Sequence, residues 1–399
     1  MIKMFNKKTI EDIDVRNKRV LVRVDYNVPL DENLNITDDT RIRLSLPTIN
    51  YLIKNEAKII LMSHLGRPKG VPEDKYRLDP VAKRLGELIG KEVKKFDEIY
   101  SDEIKDYIDN KMSYGEIVML ENLRFDPREK ANDSEFSKLL ASLADVYVND
   151  AFGAAHRAHA SVEGITHYLP AVAGFLMKKE VEVLTSLLES PKRPFLTILG
   201  GAKVSDKIKV IENLLGKVDS LILGGGMSYT FLKARGYGVG KSICEDDQID
   251  FAKDMLELAR KNNVNLLLPV DIVVAKEFDS EADKKMVSIQ SIPEGWMGMD
   301  IGDRSIELFK EEISYANTIF WNGPLGVFEW DNFSKGTKSI ATAIAESGAV
   351  AVAGGGDTIA ALKKYNLFSK FTHVSSGGGA SMELLEGKEL PGIASLMDK

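Results

Sequence analysis

Cysteine is almost absent. Cys244 is the only one among 399 residues, so no disulfide can form within the chain, and a secreted scaffold held by disulfides is excluded. No stretch of about 18 apolar residues occurs, which argues against a membrane-spanning helix. The opening segment, MIKMFNKKTIEDIDVRNK, has no apolar core of the kind a secretory signal needs. Positive charge is not in excess: 53 Lys and Arg face 60 Asp and Glu, for a net charge of −7. General nucleic-acid binding rests on the opposite balance. We therefore expect a cytoplasmic protein with neither a membrane nor a nucleic acid as partner.

The remaining composition, 44% hydrophobic and 28% charged, is that of an ordinary globular protein. The length exceeds that at which a single core stops growing, which predicts two domains. Runs rich in Val, Ile and Leu occupy 19–24, 58–62, 116–120 and 145–148, then 195–199, 220–223, 265–270, 318–321, 349–353 and 372–375. Unbroken apolar runs alternating with amphipathic stretches predict parallel strands covered on both faces. The expected fold class is α/β, with two doubly wound, Rossmann-like parallel-sheet domains. We place the first at 1–172 and the second at 173–389. A helix over 173–188, inside YLPAVAGFLMKKEVEVLTSLLESPKRP, is expected to join them as a hinge. No period of about 20–50 residues recurs, so a solenoid is excluded.

Four glycine clusters follow second-half strands: LGGAKVSDK, LGGGMSYTF, AGGGDTIAAL and SGGGASMELL. Glycine lets a backbone approach a ligand, and the first N–H groups of a following helix favour an anion. In open parallel sheets, ligands sit beyond the carboxyl ends of the strands. Four such turns on one sheet edge predict a phosphate-rich ligand. Two familiar fingerprints fail on spacing. Gly240-Lys241-Ser242 ends like a Walker loop, but the upstream glycine is replaced by Arg235. The third glycine of G-x-G-x-x-G is replaced by Tyr229, Ile359 or Met382. Lys203 and Lys207 lie four apart, on one face of an expected helix, within reach of a phosphate. Asp357 suits a Mg²⁺ that keeps several waters, or equally a helix N-cap.

First-half strands end in RVDYN, SHLGR, ENLRF and NDAFGAAHRAH, supplying Arg23, Asp25, Asn27, His64, Arg67, Arg124, His156, Arg157 and His159, with Arg41 and Arg43 nearby. Guanidinium groups grip phosphate and carboxylate through paired N–H bonds, and Asp25 and Asn27 suit a ligand hydroxyl. This edge predicts a small anionic ligand. His156 and His159 lack two further ligands at zinc spacing, so we read them with the anion cradle, the alternative for either being an ordinary hydrogen-bonded structural histidine.

Taken in order, RVDYNVP, DTRI, LPTI, SHLGRPKG, ENLRF, NDAFGAAHRAHAS, GGAKVSDK, LGGGMSYTFLKA, VDIVVA, WNGPLGVFE, AGGGDT and SSGGGASMELLEGKELPG resemble the phosphoglycerate kinase family over nearly the whole chain. Tyr26 stands where that family often has Phe or Leu, and Ser376 where Thr is common. The resemblance implies reversible phosphoryl transfer between 1,3-bisphosphoglycerate and Mg-ADP, giving 3-phosphoglycerate and Mg-ATP. It implies a monomer whose residues from about 390 fold back on the first domain. Asp25, Tyr26, Asn27, Arg41, His64, Leu65, Gly66, Arg67, Arg124 and Arg157 would hold the triose phosphate. Gly201, Lys203, Lys207, Gly225, Gly226, Asn322, Pro324, Leu325, Glu329, Gly355, Gly356, Asp357 and Thr358 would hold ADP or ATP, with Asp357 on Mg²⁺. Arg41, Lys203, Gly378 and Gly379 would act on the transferring group. Two rival readings are a non-catalytic sensor, which needs neither Lys203 nor Asp357, and a nicotinamide dehydrogenase, whose fingerprint is missing.

Overall fold

RVLVR at Arg19–Arg23 (β1) and KIILM at Lys58–Met62 (β2) bury nearly every residue, as strands covered on both faces must. They are central to a six-stranded sheet with Val93–Lys95 (β3), Ile117–Met119 (β4), Val146–Asn149 (β5) and Ala171–Ala173 (β6). The order is β3-β4-β2-β1-β5-β6 and every pair is parallel. Ile42, Ile49 and Leu52 lie on one face of the helix Thr40–Lys54 and pack on Val20, Val22, Ile59 and Leu61. Each such fully buried side chain contributes about 1.5–3 kcal/mol relative to exposure.

The second sheet takes Phe195–Leu199 (β7), Ser220–Leu223 (β8) and Asn265–Leu267 (β9). Asp271–Ala275 (β10), Lys284–Ser288 (β11) and Met297–Ile301 (β12) form a separate antiparallel sheet ordered β11-β10-β12. Thr318–Asn322 (β13), Val350–Gly354 (β14) and His373–Val374 (β15) complete the parallel sheet, ordered β15-β14-β13-β7-β8-β9. Ile306, Phe309 and Ile313 of the helix Asp303–Tyr315 pack with Ile340 and Ile344 of Lys335–Glu346 on Ile319 and Trp321. The indole N–H of Trp321, fully buried, donates to the Gly323 carbonyl at 2.8 Å.

The computed structural model describes residues 5–399. They divide into one unit of 5–182 with 389–399 and another of 183–388. The expected boundary at 172/173 therefore moves into the helix Phe175–Glu189, between Glu182 and Val183. That helix starts at Phe175 because 171–173 pair with β5. Asp150 Oδ1 accepts the N–H groups of Leu176 (2.9 Å) and Met177 (3.2 Å), and Thr48 Oγ1 accepts that of Phe175 (2.9 Å). In the first unit, residues after 389 lie along the amino-terminal segment. Lys8 N–H donates to the Met397 carbonyl at 2.7 Å, and Asn149 Nδ2 to that of Gly392 at 3.0 Å. The single strand expected over 265–270 is instead β9 alone, because Pro269 cannot continue a ladder. Among the described residues, no helix is long and apolar enough to cross a membrane.

Candidate active site

In the first sheet the chain runs outward from β1 in both directions, and such a reversal opens a crevice at the carboxyl ends of the strands. The turns after β1, β2, β4 and β5 bring the first-half candidates to this edge. Arg41 Nη1 donates to Asp25 Oδ2, an ion pair whose carboxylate is 9% exposed. Asn27 Oδ1 accepts the Gly66 N–H at 2.8 Å, and Arg124 Nη1 donates to the Gly66 carbonyl at 2.7 Å. Gly66 has φ +63°, and the ring of Tyr76 fills the place a Cβ would take, so no other residue fits there. Burial, with the charges of Arg23 and Arg157, pushes the Arg124 guanidinium down to about 10. Its Nε is buried without a partner. Arg67 and Arg157 are exposed. Burial first, then Arg23, Arg124, Arg41 and Arg157, hold His64 well below the usual histidine range. One carboxylate among this many cations makes the edge a receptor for anions.

Three side chains turn away from this edge. Tyr26 is fully buried, with its hydroxyl on Ser45 Oγ (2.7 Å) and its N–H on Ser63 Oγ (2.9 Å), so its ring cannot meet a ligand. Leu65 is 2% exposed in the core cluster, and Asn122 bonds both its N–H and its carbonyl. Both come from the family resemblance, which names positions and not side-chain directions, whereas alternate residues of an extended segment face opposite ways. His159 turns from the cradle toward the buried Glu129, its Nδ1 3.6 Å from Oε1, while His156 Nε2 accepts from Arg157 Nε at 3.0 Å. Among the described residues, no three His, Cys, Asp or Glu side chains converge as a metal cage.

The second unit carries two adjoining cavities. One, of about 480 Å³, is walled by Tyr229, Ile243, Phe278, Met299 and Leu325, with Glu329 at its lining. The other, of about 430 Å³, is lined by Lys203, Lys207, Asn322, the Gly355-to-Thr358 turn, Gly378 and Gly379. Gly201, Ala202 and Asp357 belong to both, and Gly225, Gly226 and Pro324 line the first. At Gly225 (φ +65°) an added Cβ would lie 2.8 Å from the backbone of Gly201 and Pro324, so close loop packing requires glycine. Asn322 ties the ends of β13 and β14 to the turn after β7, accepting from Lys207 and donating to the Gly354 carbonyl at 2.7 Å. Burial, opposed by Asp206 and Asp357, brings Lys207 down to about 8. Gly355 caps the helix Gly356–Lys364, whose first N–H groups have no partner within the helix.

One further expectation gives way and another is narrowed. Lys203 and Lys207 do not share a helix face, because the helix begins at Ile208. The 204–205 segment is held as a turn by Glu245, whose carboxylate accepts the N–H groups of Val204 (2.6 Å) and Ser205 (3.1 Å) and the Ser205 hydroxyl (2.6 Å). These bonds offer the backbone an alternative to a helical turn. Thr358 is fully buried and its hydroxyl accepts the Gly323 N–H at 2.7 Å, so only its backbone remains for a ligand. Sequence reasoning missed the apolar wall. Met297 and Met299 alternate at strand spacing, a signal that both face one side. Nothing local marks Phe278 or Tyr229.

An apolar slot beside a cationic, glycine-lined cavity suits a base attached to phosphates. The phosphoglycerate kinase family model matches residues 10–388. The phosphoglycerate kinase of Dictyoglomus turgidum is 57% identical, covering 98% of this chain and all of that protein. That of Pelotomaculum thermopropionicum is 55% identical over 98% of this chain and all of its own length. Among solved structures, the phosphoglycerate kinase of Coxiella burnetii matches with a TM-score of 0.89 and 42% identity, covering 98% of each chain. The enzyme from Pyrococcus horikoshii matches with a TM-score of 0.84 and 34% identity, also over 98% of each. The fold, the two cradles and these matches agree, and the chain belongs to the phosphoglycerate kinase family.

Proposed function

We propose that this protein moves the acyl phosphate of 1,3-bisphosphoglycerate reversibly to Mg-ADP, leaving 3-phosphoglycerate and Mg-ATP. The observation that carries this reading is the pair of adjoining cavities in the second unit, one apolar and one lined by Lys203, Lys207 and Asp357. The first takes the base and the second the phosphates. The arginine edge of the first unit takes the triose phosphate. Asp357 is a single exposed carboxylate at the phosphate cavity. That donor set fits a Mg²⁺ held mainly by waters and substrate oxygens rather than a protein cage. Bound there, the ion would neutralise phosphate charge.

The chemistry asks little of the protein beyond placement and charge. An oxygen of the ADP β-phosphate attacks, the bond to the acyl oxygen breaks, and the 3-phosphoglycerate carboxylate departs. A carboxylate is a weak base and needs no proton, which accounts for a site without a nucleophile and base pair. Arg41 and Lys203 stabilise charge on the transferring group, helped by N–H groups at Gly378 and Gly379. Transfer needs reacting atoms within about 3–3.5 Å and exclusion of water. Since the two cradles belong to different units, we assign the helix Phe175–Glu189 as the hinge of a closing motion.

A coupled assay of 3-phosphoglycerate-dependent ATP turnover tests this. Turnover should be abolished when Mg²⁺ is chelated and unchanged by a zinc-selective chelator. Ligand binding without turnover would make the protein a sensor and sink the enzymatic reading.

A further inference from the structure

Behind the arginine edge runs a buried chain of polar groups that phosphoryl transfer does not itself use. Arg23 is 1% exposed and all three of its nitrogens are committed. Nε donates to Ser161 Oγ at 2.9 Å, Nη1 to the Val24 carbonyl at 2.5 Å, and Nη2 lies 3.0 Å from His64 Nδ1. The Ser161 hydroxyl donates in turn to Glu129 Oε1 at 2.6 Å, and the Ser161 N–H to Oε2 at 3.0 Å. Burial pushes the Glu129 carboxyl up, but hydrogen bonds from His159 and Ser161 and the charge of Arg23 outweigh it and hold it below its usual range. A buried carboxylate thus balances the buried guanidinium through one hydroxyl.

The direction of the Arg23–His64 bond follows from chemistry. A guanidinium only donates, and it keeps its proton in proteins. His64 Nδ1 must therefore accept, and the single ring proton must sit on Nε2. An imidazolium would set N–H against N–H. Among the described residues nothing bonds Nε2, and this nitrogen is not one of the sealed, unsatisfied atoms. The Nε2–H is what His64 offers a ligand. The cations bearing on the ring, Arg23, Arg124, Arg41 and Arg157, together with burial, disfavour a second ring proton.

We infer that Arg23 is a positioning residue that locks His64 as the neutral Nε2–H tautomer, a fixed hydrogen-bond donor toward the anionic triose phosphate. This rests on the reading of the cradle given above and adds a residue that acts through another. It removes His64 from any acid–base role. It also keeps the donor constant over the range in which histidines ordinarily titrate.

The first test needs no variant. Nitrogen-15 spectra of ring-labelled, ligand-free protein should show His64 Nδ1 as pyridine-type and Nε2 as pyrrole-type from about pH 6 to 8. A proton on Nδ1, or an imidazolium in that range, overturns the inference. The second test combines Arg23→Gln and His64→Ala, singly and together, with calorimetry of 3-phosphoglycerate. Arg23→Gln should weaken binding about tenfold, the scale of one hydrogen bond to a charged partner, and leave ADP affinity unchanged. In the His64→Ala background the same change should cost less than about twofold. Equal losses in both backgrounds would reduce Arg23 to a support of the fold and overturn the inference. If Arg23→Gln does not fold, the spectrum of the native protein decides. Absent 3-phosphoglycerate binding with the expected spectrum would refute the triose-phosphate reading while the tautomer assignment stands.

Discussion

The Lys207 ammonium donates to Asn322 Oδ1, joining the turn after β7 to the end of β13. Burial holds this lysine near 8, so its charge titrates in an accessible range. A phosphate binds the protonated form better. ADP affinity should therefore be full below about pH 8 and fall as pH rises through it. Calorimetry across that range should show the decline in the native protein and none in Lys207→Met. A native affinity independent of pH would show that Lys207 does not meet the nucleotide.

Lys203 is exposed in the glycine-lined cavity, on the turn that Glu245 holds. Its removal takes away charge stabilisation without opening the core. Lys203→Ala should lower turnover roughly 10²- to 10³-fold with a modest change in KM. Near-normal turnover in folded protein would cancel its assigned role.

Arg67 and Arg157 are exposed on the first unit, so replacing either with Ala should leave the fold intact. Each change should weaken 3-phosphoglycerate binding by about 1.5–3 kcal/mol. ADP binding should be unmoved. Calorimetry giving the reverse pattern would exchange the ligands proposed for the two units.

Gly153 sits against the Asp25–Arg41 ion pair. An added Cβ would fall on Asp25 Oδ2 and 3.4 Å from Arg41 Nη1. Gly153→Ala should push the pair apart and reduce kcat/KM for 3-phosphoglycerate about tenfold, with a smaller effect on thermal stability. An unchanged kcat/KM would mean that the pair is not held for the reaction.

Closure can be read in solution. Small-angle scattering should show contraction with 3-phosphoglycerate plus a non-reacting Mg-nucleotide analogue, and much less with either alone, since only both together favour the closed state. An unchanged radius of gyration at saturation would remove the hinge.

The fold class was legible because a parallel strand buried on both faces is a continuous apolar run, as at 58–62 and 195–199. Elements escaped where that rule does not apply. The segment at 93–95, VKK, is a half-buried edge strand, and 171–173 spans only three residues. Strand Lys284–Ser288 is mostly exposed and antiparallel, so it carries charge where a parallel strand would not. Arg124 and Asp357 drew notice because charged residues gathered at strand ends or beside glycine turns lie where open parallel sheets take ligands, and Arg41 because it opens the nearby helix Thr40–Lys54. The side chains of Tyr26, Leu65 and Thr358 turn into the fold, a direction that motif membership does not reveal. Arg23 was visible as a residue but not as a role. Its meaning depends on Ser161 and Glu129, more than 100 positions away.

Residues 389–399 belong to the first unit but are translated after the whole of the second. Their bonds to Lys8, Asn149 and Ala155 form only once all of 183–388 has been made. The second unit is continuous and can fold as it emerges, whereas the first, although begun earlier, is completed last. During synthesis the arginine edge thus belongs to a partly finished unit, and the order of assembly runs opposite to the order of the sequence.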